Sequence, residues 1–485
     1  MRSSIRAGFR AICAGCTFRD LSHHVFDLLF ISHDTTQNAV FPEVRYGHTI
    51  SHVNPQIIQQ YDSPHQFEPL MPAEPLLAPL LEQAGDLMRK ATALGAASGK
   101  TAQTELRKLL RSMNSYYTNR IEGEHTRPSD IERALQQDFS ANADLARKQR
   151  LAVAHIRTEA LCEGQVDRKL ETEGPDAARW LYSPEALIWL HKELFRDLPE
   201  DDLRLADGST LVPGELRQRG VAVGRYEAPT AQSLPRFIER WQQVYGGIRR
   251  GEASVVALAA AHHRLAWTHP FLDGNGRVTR LHTHLLLHAW GLTGGLWSPL
   301  RGYARTESKY KALLQAADEH RRGDLDGRGN LTQSGLVQWI EYTLDVCLDQ
   351  VEFMARQLNV QSMQDRIRAA LAYETAAVKS GVREEALLPL HYLFATQGEL
   401  GRAQFKAMTG LGERVATATL SALLARGFLT TDSPYGSLRF GIPRHALRFY
   451  FPALWPEAEQ DQDLLDGEVG LAAVPRGTAR RIPIV

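Results

Sequence analysis

Residues 269–280 of this 485-residue chain read His-Pro-Phe-Leu-Asp-Gly-Asn-Gly-Arg-Val-Thr-Arg, a set of side chains suited to phosphoryl chemistry. His269 is the one residue of the stretch whose ordinary pKa lets it accept a proton near neutral pH. Asp273 offers a hard carboxylate, which suits Mg²⁺ bound together with substrate phosphates. Arg277 and Arg280 share one side of a helical turn, and guanidinium groups match phosphate oxygens. The stretch therefore predicts attack of a hydroxyl on a phosphoryl group.

The surrounding pattern predicts a helix, a short loop and a second helix. The first helix ends at Pro270, because proline disfavours helical geometry in the residue before it. The second helix begins near Arg277, so Gly274, Asn275 and Gly276 lie at its N-terminus. Unpaired backbone N–H groups and the positive end of the helix dipole favour a phosphate there, and glycine permits its close approach. We therefore predict that these three residues bind nucleotide phosphates.

Single residues of this stretch also have plain structural interpretations. A histidine before a proline often caps a helix or packs in a core, and Gly-Asn-Gly alone is a turn. The joint occurrence of a base, a carboxylate, two glycines and two arginines within twelve positions favours the phosphate site.

Other candidate metal ligands have weaker support. Five more histidines lie near the stretch: His262, His263, His282, His284 and His288. His284 and His288 lie four residues apart, as some zinc ligands do, but no carboxylate or cysteine stands nearby at ligand spacing. Cys13 and Cys16 form one CxxC pair without a second pair. These patterns favour structural roles for the histidines and no metal or redox role for the cysteines.

Composition limits the class of protein. The chain has 56 basic and 56 acidic residues, so no overall charge attracts it to nucleic acid or to an anionic membrane. The longest apolar stretches, such as Val255–Ala261, are too short to cross a bilayer, so we expect no membrane partner. The four cysteines are too few for a disulfide scaffold and suit a reducing compartment, which predicts a cytoplasmic protein.

The apolar pattern predicts a mainly α fold with a small β-hairpin and a C-terminal winged helix-turn-helix. The hairpin falls within 211–229, where glycines and prolines separate short β-prone pieces. One helix is expected near 129–163. The predicted segments are an irregular N-terminal extension (1–75), a helical region with an inhibitory helix (76–160), a catalytic core (161–357), a linker helix (358–380), a winged helix-turn-helix (381–445) and a tail (446–485).

Residues 269–280 resemble the signature HPFx(D/E)GNGRxxR of the Fic family and match it at every specified position. The resemblance extends over roughly 105–345, since Fic domains have a helical-bundle core with a β-hairpin flap before the motif. It implies transfer of AMP from ATP to a Ser, Thr or Tyr hydroxyl of a target protein, and of the chain itself. In that reaction His269 deprotonates the hydroxyl, and Asp273 holds Mg²⁺ on the α- and β-phosphates.

The resemblance also assigns the phosphate contacts. Gly274, Asn275 and Gly276 would bind phosphates, and Arg277 and Arg280 would bind the outer ones. Relatives that phosphorylate usually have lysine in place of Gly276, so this glycine favours AMP transfer with pyrophosphate as the leaving group.

Target and adenine contacts follow from the same resemblance. The flap near Gly220–Tyr226 would hold the target segment as an added strand. Tyr310 is a candidate for the lining of the adenine pocket.

Residues 118–123 read Thr-Asn-Arg-Ile-Glu-Gly and resemble the inhibitory motif (S/T)xxxE(G/N) of the same family. Their position before the core is typical of the class whose inhibitory helix precedes the Fic domain. Glu122 could pair with Arg280 and occupy the place of the γ-phosphate, so that ATP binds only in a pose that hides its α-phosphate. The sequence therefore predicts an autoinhibited enzyme.

Two other functions remain open. The first is a DNA-binding regulator with an accessory Fic domain, although the presumed recognition helix exposes only Arg414, Thr417 and Arg426 as a modest basic surface. Winged helices also dock proteins or dimerise, which leaves a homodimer open. The second is removal of AMP from modified proteins with the help of Glu122.

Overall fold

The computed structural model describes residues 60–97, 100–223 and 226–454, so Cys13 and Cys16 lie outside the described residues. Helices make up most of the described chain, which confirms the mainly α class. The helices are α1 Glu74–Ala96, α2 Lys100–Ile121, α3 Pro128–Leu135, α4 Ala143–Glu173, α5 Pro184–Phe195, α6 Leu234–Tyr245, α7 Glu252–Thr268, α8 Asn275–Ala289, α9 Leu300–Arg305, α10 Glu307–Asp318, α11 Gln333–Gln357, α12 Val360–Tyr373, α13 Leu387–Thr396, α14 Arg402–Thr409, α15 Glu413–Ala425 and α16 Leu447–Tyr450.

Two short antiparallel hairpins complete the described elements. Strand β1 (Ala222–Val223) pairs with β2 (Tyr226–Glu227), and Ala222 lies opposite Glu227. This hairpin is the predicted one, and residues 220–227 are called the flap below. Strand β3 (Leu429–Thr430) pairs with β4 (Arg439–Phe440).

Helices α7 and α8 form the centre of the core. Almost every residue of both helices is buried, as expected of helices packed on all sides. Small residues at 257 and 259–261 of α7 let neighbouring helices approach its backbone. Trp241 of α6 donates to the Ala261 carbonyl (3.0 Å) and Trp339 of α11 donates to the Ala259 carbonyl (2.7 Å). These contacts fix α7, whose C-terminal end carries the first residue of the motif.

The predicted helix near 129–163 is wrong in its extent, because the structure has two helices there. Gln137 adopts a left-handed backbone (φ 66°) just after α3 ends, which interrupts the helical path. Asn142 then starts α4, and its side chain accepts a hydrogen bond from the Leu145 N–H (3.1 Å). A cap of this kind satisfies an N–H group that an uninterrupted helix would have bonded internally.

The C-terminal elements follow the predicted order of two helices, a turn, a longer helix and two strands. Gly410 supplies the turn between α14 and α15 with a left-handed backbone (φ 69°). The identity of this region as a winged helix-turn-helix, and the predicted domain bounds, stay predictions. None of the described helices is both long and apolar enough to cross a membrane.

Candidate active site

The motif loop, residues 269–274, connects α7 to α8. His269 ends α7 in a left-handed conformation (φ 49°, ψ 60°), and its N–H bonds the Leu265 carbonyl (3.2 Å). Gly274 precedes α8 with φ 79°, and a Cβ there would lie 2.5 Å from the ring of Phe195. Only glycine therefore fits this position without displacing the ring.

Asn275 closes the motif loop with its side chain. Its Oδ1 accepts from the Phe271 N–H (2.9 Å), and its Nδ2 donates to the Phe271 carbonyl (2.8 Å). The side chain is 4% exposed and therefore shapes the loop from within. A contact between Asn275 and phosphate stays a prediction.

His191 of α5 supports the motif loop. Its Nδ1 accepts from the Gly214 N–H (2.8 Å), so its Nε2 carries the hydrogen, 3.2 Å from the Asp273 carbonyl oxygen. The ring stacks on Phe271 with centroids 3.9 Å apart. Burial lowers the pKa of His191 to about 4, which keeps the ring neutral. Sequence reasoning missed this role, because a histidine on an apolar helix face is usually a core residue.

Arg217 joins the flap to the motif loop and was also missed in the sequence. The residue is 2% exposed. Its Nε donates to the His269 carbonyl (2.7 Å), its Nη1 to the Arg219 carbonyl (2.9 Å) and its Nη2 to the Pro229 carbonyl (2.5 Å). Its backbone N–H donates to the Pro270 carbonyl (3.0 Å). The backbone on either side of the hairpin is thus bonded to the start of the motif.

Both motif arginines contact residues 118–123, the predicted inhibitory segment. Arg280 is 1% exposed, and its Nε donates to Thr118 Oγ1 (2.8 Å). Its Nη2 lies 2.5 Å from Glu122 Oε1. Arg277 is 6% exposed and donates through Nε to Asn119 Oδ1 (3.1 Å). The structure therefore brings the predicted Glu122–Arg280 pair together.

Glu122 lies at the N-terminal end of α8, against Gly276. A Cβ on Gly276 would overlap Glu122 Oε1, so a glycine is what leaves room for the carboxylate. Burial raises the pKa of Glu122, but the charges of Arg280 and Arg277 outweigh it and hold this pKa below its ordinary value. Glu122 is consequently ionised at neutral pH. An anion already occupies the end of α8 that favours phosphate.

Asp273 lies beside this anion position. Its Oδ1 accepts from the Gly274 N–H (2.6 Å), and its negative charge acts to raise the pKa of Glu122. The glycine-lined end of α8 and one hard carboxylate fit a Mg²⁺ ion held mainly by nucleotide phosphates. Binding of Mg²⁺ stays a proposal.

Tyr310 lies next to Arg280. The residue is 3% exposed, its hydroxyl lies 3.1 Å from His262 Nε2, and it also interacts with Arg280. Its ring packs against Trp339 and Tyr303 in an aromatic cluster. These contacts make Tyr310 a support of Arg280, and its predicted contact with adenine stays untested.

His284 and His288 are buried, and each has a carboxylate partner that lies far away in the chain rather than at ligand spacing. His284 Nε2 lies 2.9 Å from Glu163 Oε1, and His288 Nε2 lies 2.8 Å from Asp167 Oδ1. Both carboxylates come from α4, 121 positions earlier in the chain, because α4 packs along α8. Arg111 of α2 pairs with Glu163 (2.5 Å) and supplies the balancing charge.

A further contact extends this polar arrangement on α4. Asn114 of α2 donates to Glu159 Oε1 (2.8 Å). Glu159, Glu163 and Asp167 with their partners on α2 and α8 are called the α4 network below. It connects α2, the helix that ends just before Glu122, to α8, the helix that carries the motif arginines.

Comparisons with known proteins add to this geometry. Residues 181–287 match the model of the Fic/DOC family. Proteins named protein adenylyltransferase Fic from Drosophila ananassae and Drosophila persimilis are 29% and 33% identical to this chain over 167 residues. Each alignment covers 34% of this chain and 32% of the relative, so the chain spans about a third of the length of these relatives. A Fic family protein from Desulfovibrio desulfuricans G20 has a crystal structure with 18% identity and a TM-score of 0.45, over 77% of this chain and 98% of that one.

Proposed function

We propose that this chain, which carries a Fic/DOC domain over residues 181–287, transfers AMP from ATP to a hydroxyl group of a protein and is autoinhibited. The observation that carries the proposal is the end of α8, where two buried arginines and Gly276 surround an anion position beside Asp273. The names of the Drosophila relatives support the same activity.

The reaction follows from the residues around the motif loop. The imidazole of His269 accepts the proton of the target hydroxyl while the oxygen attacks the α-phosphorus of ATP. A bond forms between this oxygen and the α-phosphorus, the bond to the bridging oxygen breaks, and pyrophosphate leaves. Bound Mg²⁺, held by Asp273, would neutralise phosphate charge. The N-terminus of α8 and the guanidinium groups of Arg277 and Arg280 bind the leaving phosphates.

Autoinhibition follows from the contacts of Glu122. Its carboxylate takes the anion position at α8 and pairs with Arg280, whose second partner in the inhibitory segment is Thr118. An outer phosphate of ATP has to compete for the same guanidinium group. The resting protein therefore binds ATP in a pose that does not expose the α-phosphate to attack.

The flap provides the surface for the target segment. Its two strands have only two residues each and pair with each other. An extended target segment that adds to one edge would be held by backbone hydrogen bonds, which accept many sequences. A hydroxyl on the chain itself is a second acceptor.

The activity is tested with ATP labelled on the α-phosphate in the presence of Mg²⁺. We expect weak labelling of the unmodified protein, strong labelling of Glu122→Gly, and none of Glu122→Gly combined with His269→Ala. A Glu122→Gly protein that binds ATP and labels neither itself nor any protein of a lysate would refute AMP transfer. Incubation of the unmodified protein with an AMP-modified product tests the reverse role, in which ionised Glu122 activates water to release AMP.

A further inference from the structure

We propose that Arg217 is a positioning residue that holds the flap in fixed register with the motif loop. The inference rests on the proposed AMP transfer, in which the target lies on the flap and the base lies on the loop. Its side-chain hydrogen bonds go to backbone carbonyls that flank the flap, at Arg219 and Pro229, and to those at the start of the motif loop, at Thr268 and His269.

The guanidinium group lies at the base of the hairpin. It donates to the Arg219 carbonyl before β1 and to the Pro229 carbonyl after β2. It therefore links the backbone segments that lead into and out of the hairpin. A second contact supports the same end, because the Tyr226 hydroxyl of β2 donates to the Trp267 carbonyl in the last turn of α7 (2.7 Å).

The opposite side of the same group holds the start of the motif. Nε bonds the carbonyl of His269, and Nη2 also approaches the Thr268 carbonyl (3.4 Å). The Arg217 backbone N–H adds a bond to the Pro270 carbonyl. The peptide groups on both sides of His269 are therefore bonded to the residue that closes the hairpin.

The charge of Arg217 is balanced in an unusual way. Within the part of the chain that the structure describes, no carboxylate forms a salt bridge with it, and carbonyl dipoles take that place. Burial lowers its pKa to about 10, so the group is still charged at neutral pH. A planar guanidinium presents donors in several fixed directions, whereas lysine offers donors from one point. The site therefore requires the shape of arginine, which a merely space-filling role would not.

Arg264 offers a matched control within the same core. It is fully buried, lies on α7, and donates to the Pro69 carbonyl (2.8 Å), and within the described residues its side chain forms no hydrogen bond with the flap or the motif loop. Its replacement removes a buried arginine of the same kind from a different place. Loss of stability alone would affect both variants alike.

The experiment compares Arg217→Met, Arg217→Lys and Arg264→Met, each in the Glu122→Gly background. We expect Arg217→Met to lower kcat for AMP transfer to protein by about 10- to 100-fold, because small misplacement of reacting groups has costs of this size. The KM for ATP should change by less than about twofold, and Arg217→Lys should recover part of kcat. Arg264→Met should keep kcat when compared at equal folded fraction.

Hydrogen exchange of the backbone gives a readout that needs no enzyme activity. The Ala228 N–H, which bonds the Val221 carbonyl across the flap, should exchange faster in Arg217→Met and in Tyr226→Phe, but not in Arg264→Met. Equal kcat losses in Arg217→Met and Arg264→Met, or unchanged exchange at the flap, would overturn the proposal. If Glu122→Gly transfers no AMP, the proposed function fails, and the exchange data still decide whether Arg217 holds the flap. If Arg217→Met does not fold, Arg217→Lys and Tyr226→Phe carry the same comparison.

Discussion

Replacement of Glu122 by glutamine removes the negative charge of the side chain but keeps its size and shape. It therefore tests whether the charge is needed for the proposed inhibition. The amide has the size of the carboxylate and can still accept a hydrogen bond from Arg280, whose Nη2 lies 2.5 Å from Glu122 Oε1. Hydrogen bonds to charged groups contribute about 1.5–3 kcal/mol and neutral ones about 0.5–1.5 kcal/mol. We therefore expect the charge to contribute about 1 kcal/mol to the proposed inhibition. Because 32% of the Glu122 side chain is exposed, solvent screening favours the lower part of these ranges.

The expected order of AMP transfer rates follows from these values. Glu122→Gln should raise the initial rate by about threefold to fivefold, and Glu122→Gly by about tenfold or more, since about 1.4 kcal/mol corresponds to tenfold. The assay measures incorporation of α-labelled AMP at ATP concentrations below KM, together with the affinity for an ATP analogue. Glu124→Gln is a matched control, because Glu124 pairs with Arg147 (2.7 Å) instead of a motif arginine, and its rate should not change.

The result that refutes the electrostatic argument is specific. If Glu122→Gln transfers AMP as slowly as the unmodified protein while Glu122→Gly is fast, then the shape of the side chain inhibits and its charge does not. If Glu124→Gln accelerates the reaction as much as Glu122→Gln, the effect belongs to the whole segment rather than to the Arg280 contact.

Three further predictions concern the motif loop. Gly274→Ala should lower the free energy of unfolding, measured in urea, by about 1–3 kcal/mol. The added Cβ would clash with the Phe195 ring, and the backbone is left-handed at this position. An unchanged free energy of unfolding would contradict this packing. The folded pKa of His191, about 4, lies below the unfolded value of about 6.5, so its contribution to stability is complete above pH 6.5 and is lost as the pH falls toward 4. At pH 5.5 this loss should be about 1.4 kcal/mol by urea unfolding, and His191→Gln should lack this component; equal pH dependence of the two proteins would argue against a neutral His191. Asp273→Asn should lower Mg²⁺-dependent AMP transfer by at least about tenfold with little change in melting temperature, whereas full activity would exclude Asp273 as a metal ligand.

The parts of the site that the sequence predicted are those whose geometry is local. Gly274, Arg277 and Arg280 lie within one loop and one helical turn, so their relative positions follow from helix geometry. The Glu122–Arg280 contact spans 158 positions, and it was predicted because the resemblance supplied the pairing, not because spacing did.

The parts that were missed depend on which helix faces pack together. Arg217 is separated from its partner in the motif by 52 positions in the sequence, and His191 is separated from its partner by 82. Neither separation follows a helix or strand period, so no sequence pattern indicates these contacts. The carboxylate partners of His284 and His288 lie on α4, whose start was itself misplaced because the break near Gln137 has no strong turn signal. Ligand spacing along the chain detects only ligands that lie on the same helix or loop. It therefore cannot exclude a carboxylate partner that lies on another helix.

The α4 network has a consequence for how the proposed inhibition would be relieved. Helix α2 is anchored to α4 at Arg111, Asn114 and Ser115, whose Oγ donates to the Ala152 carbonyl (2.8 Å). Displacement of the whole helix would leave buried polar groups without partners, at a cost of about 1–3 kcal/mol for each. The last of these anchors, Ser115, lies about two turns before Glu122, which lies just beyond the last helical residue. If Glu122 inhibits as proposed, unwinding of the last two turns of α2 would release it, and a protein that activates the enzyme would then capture a few residues rather than move a whole helix.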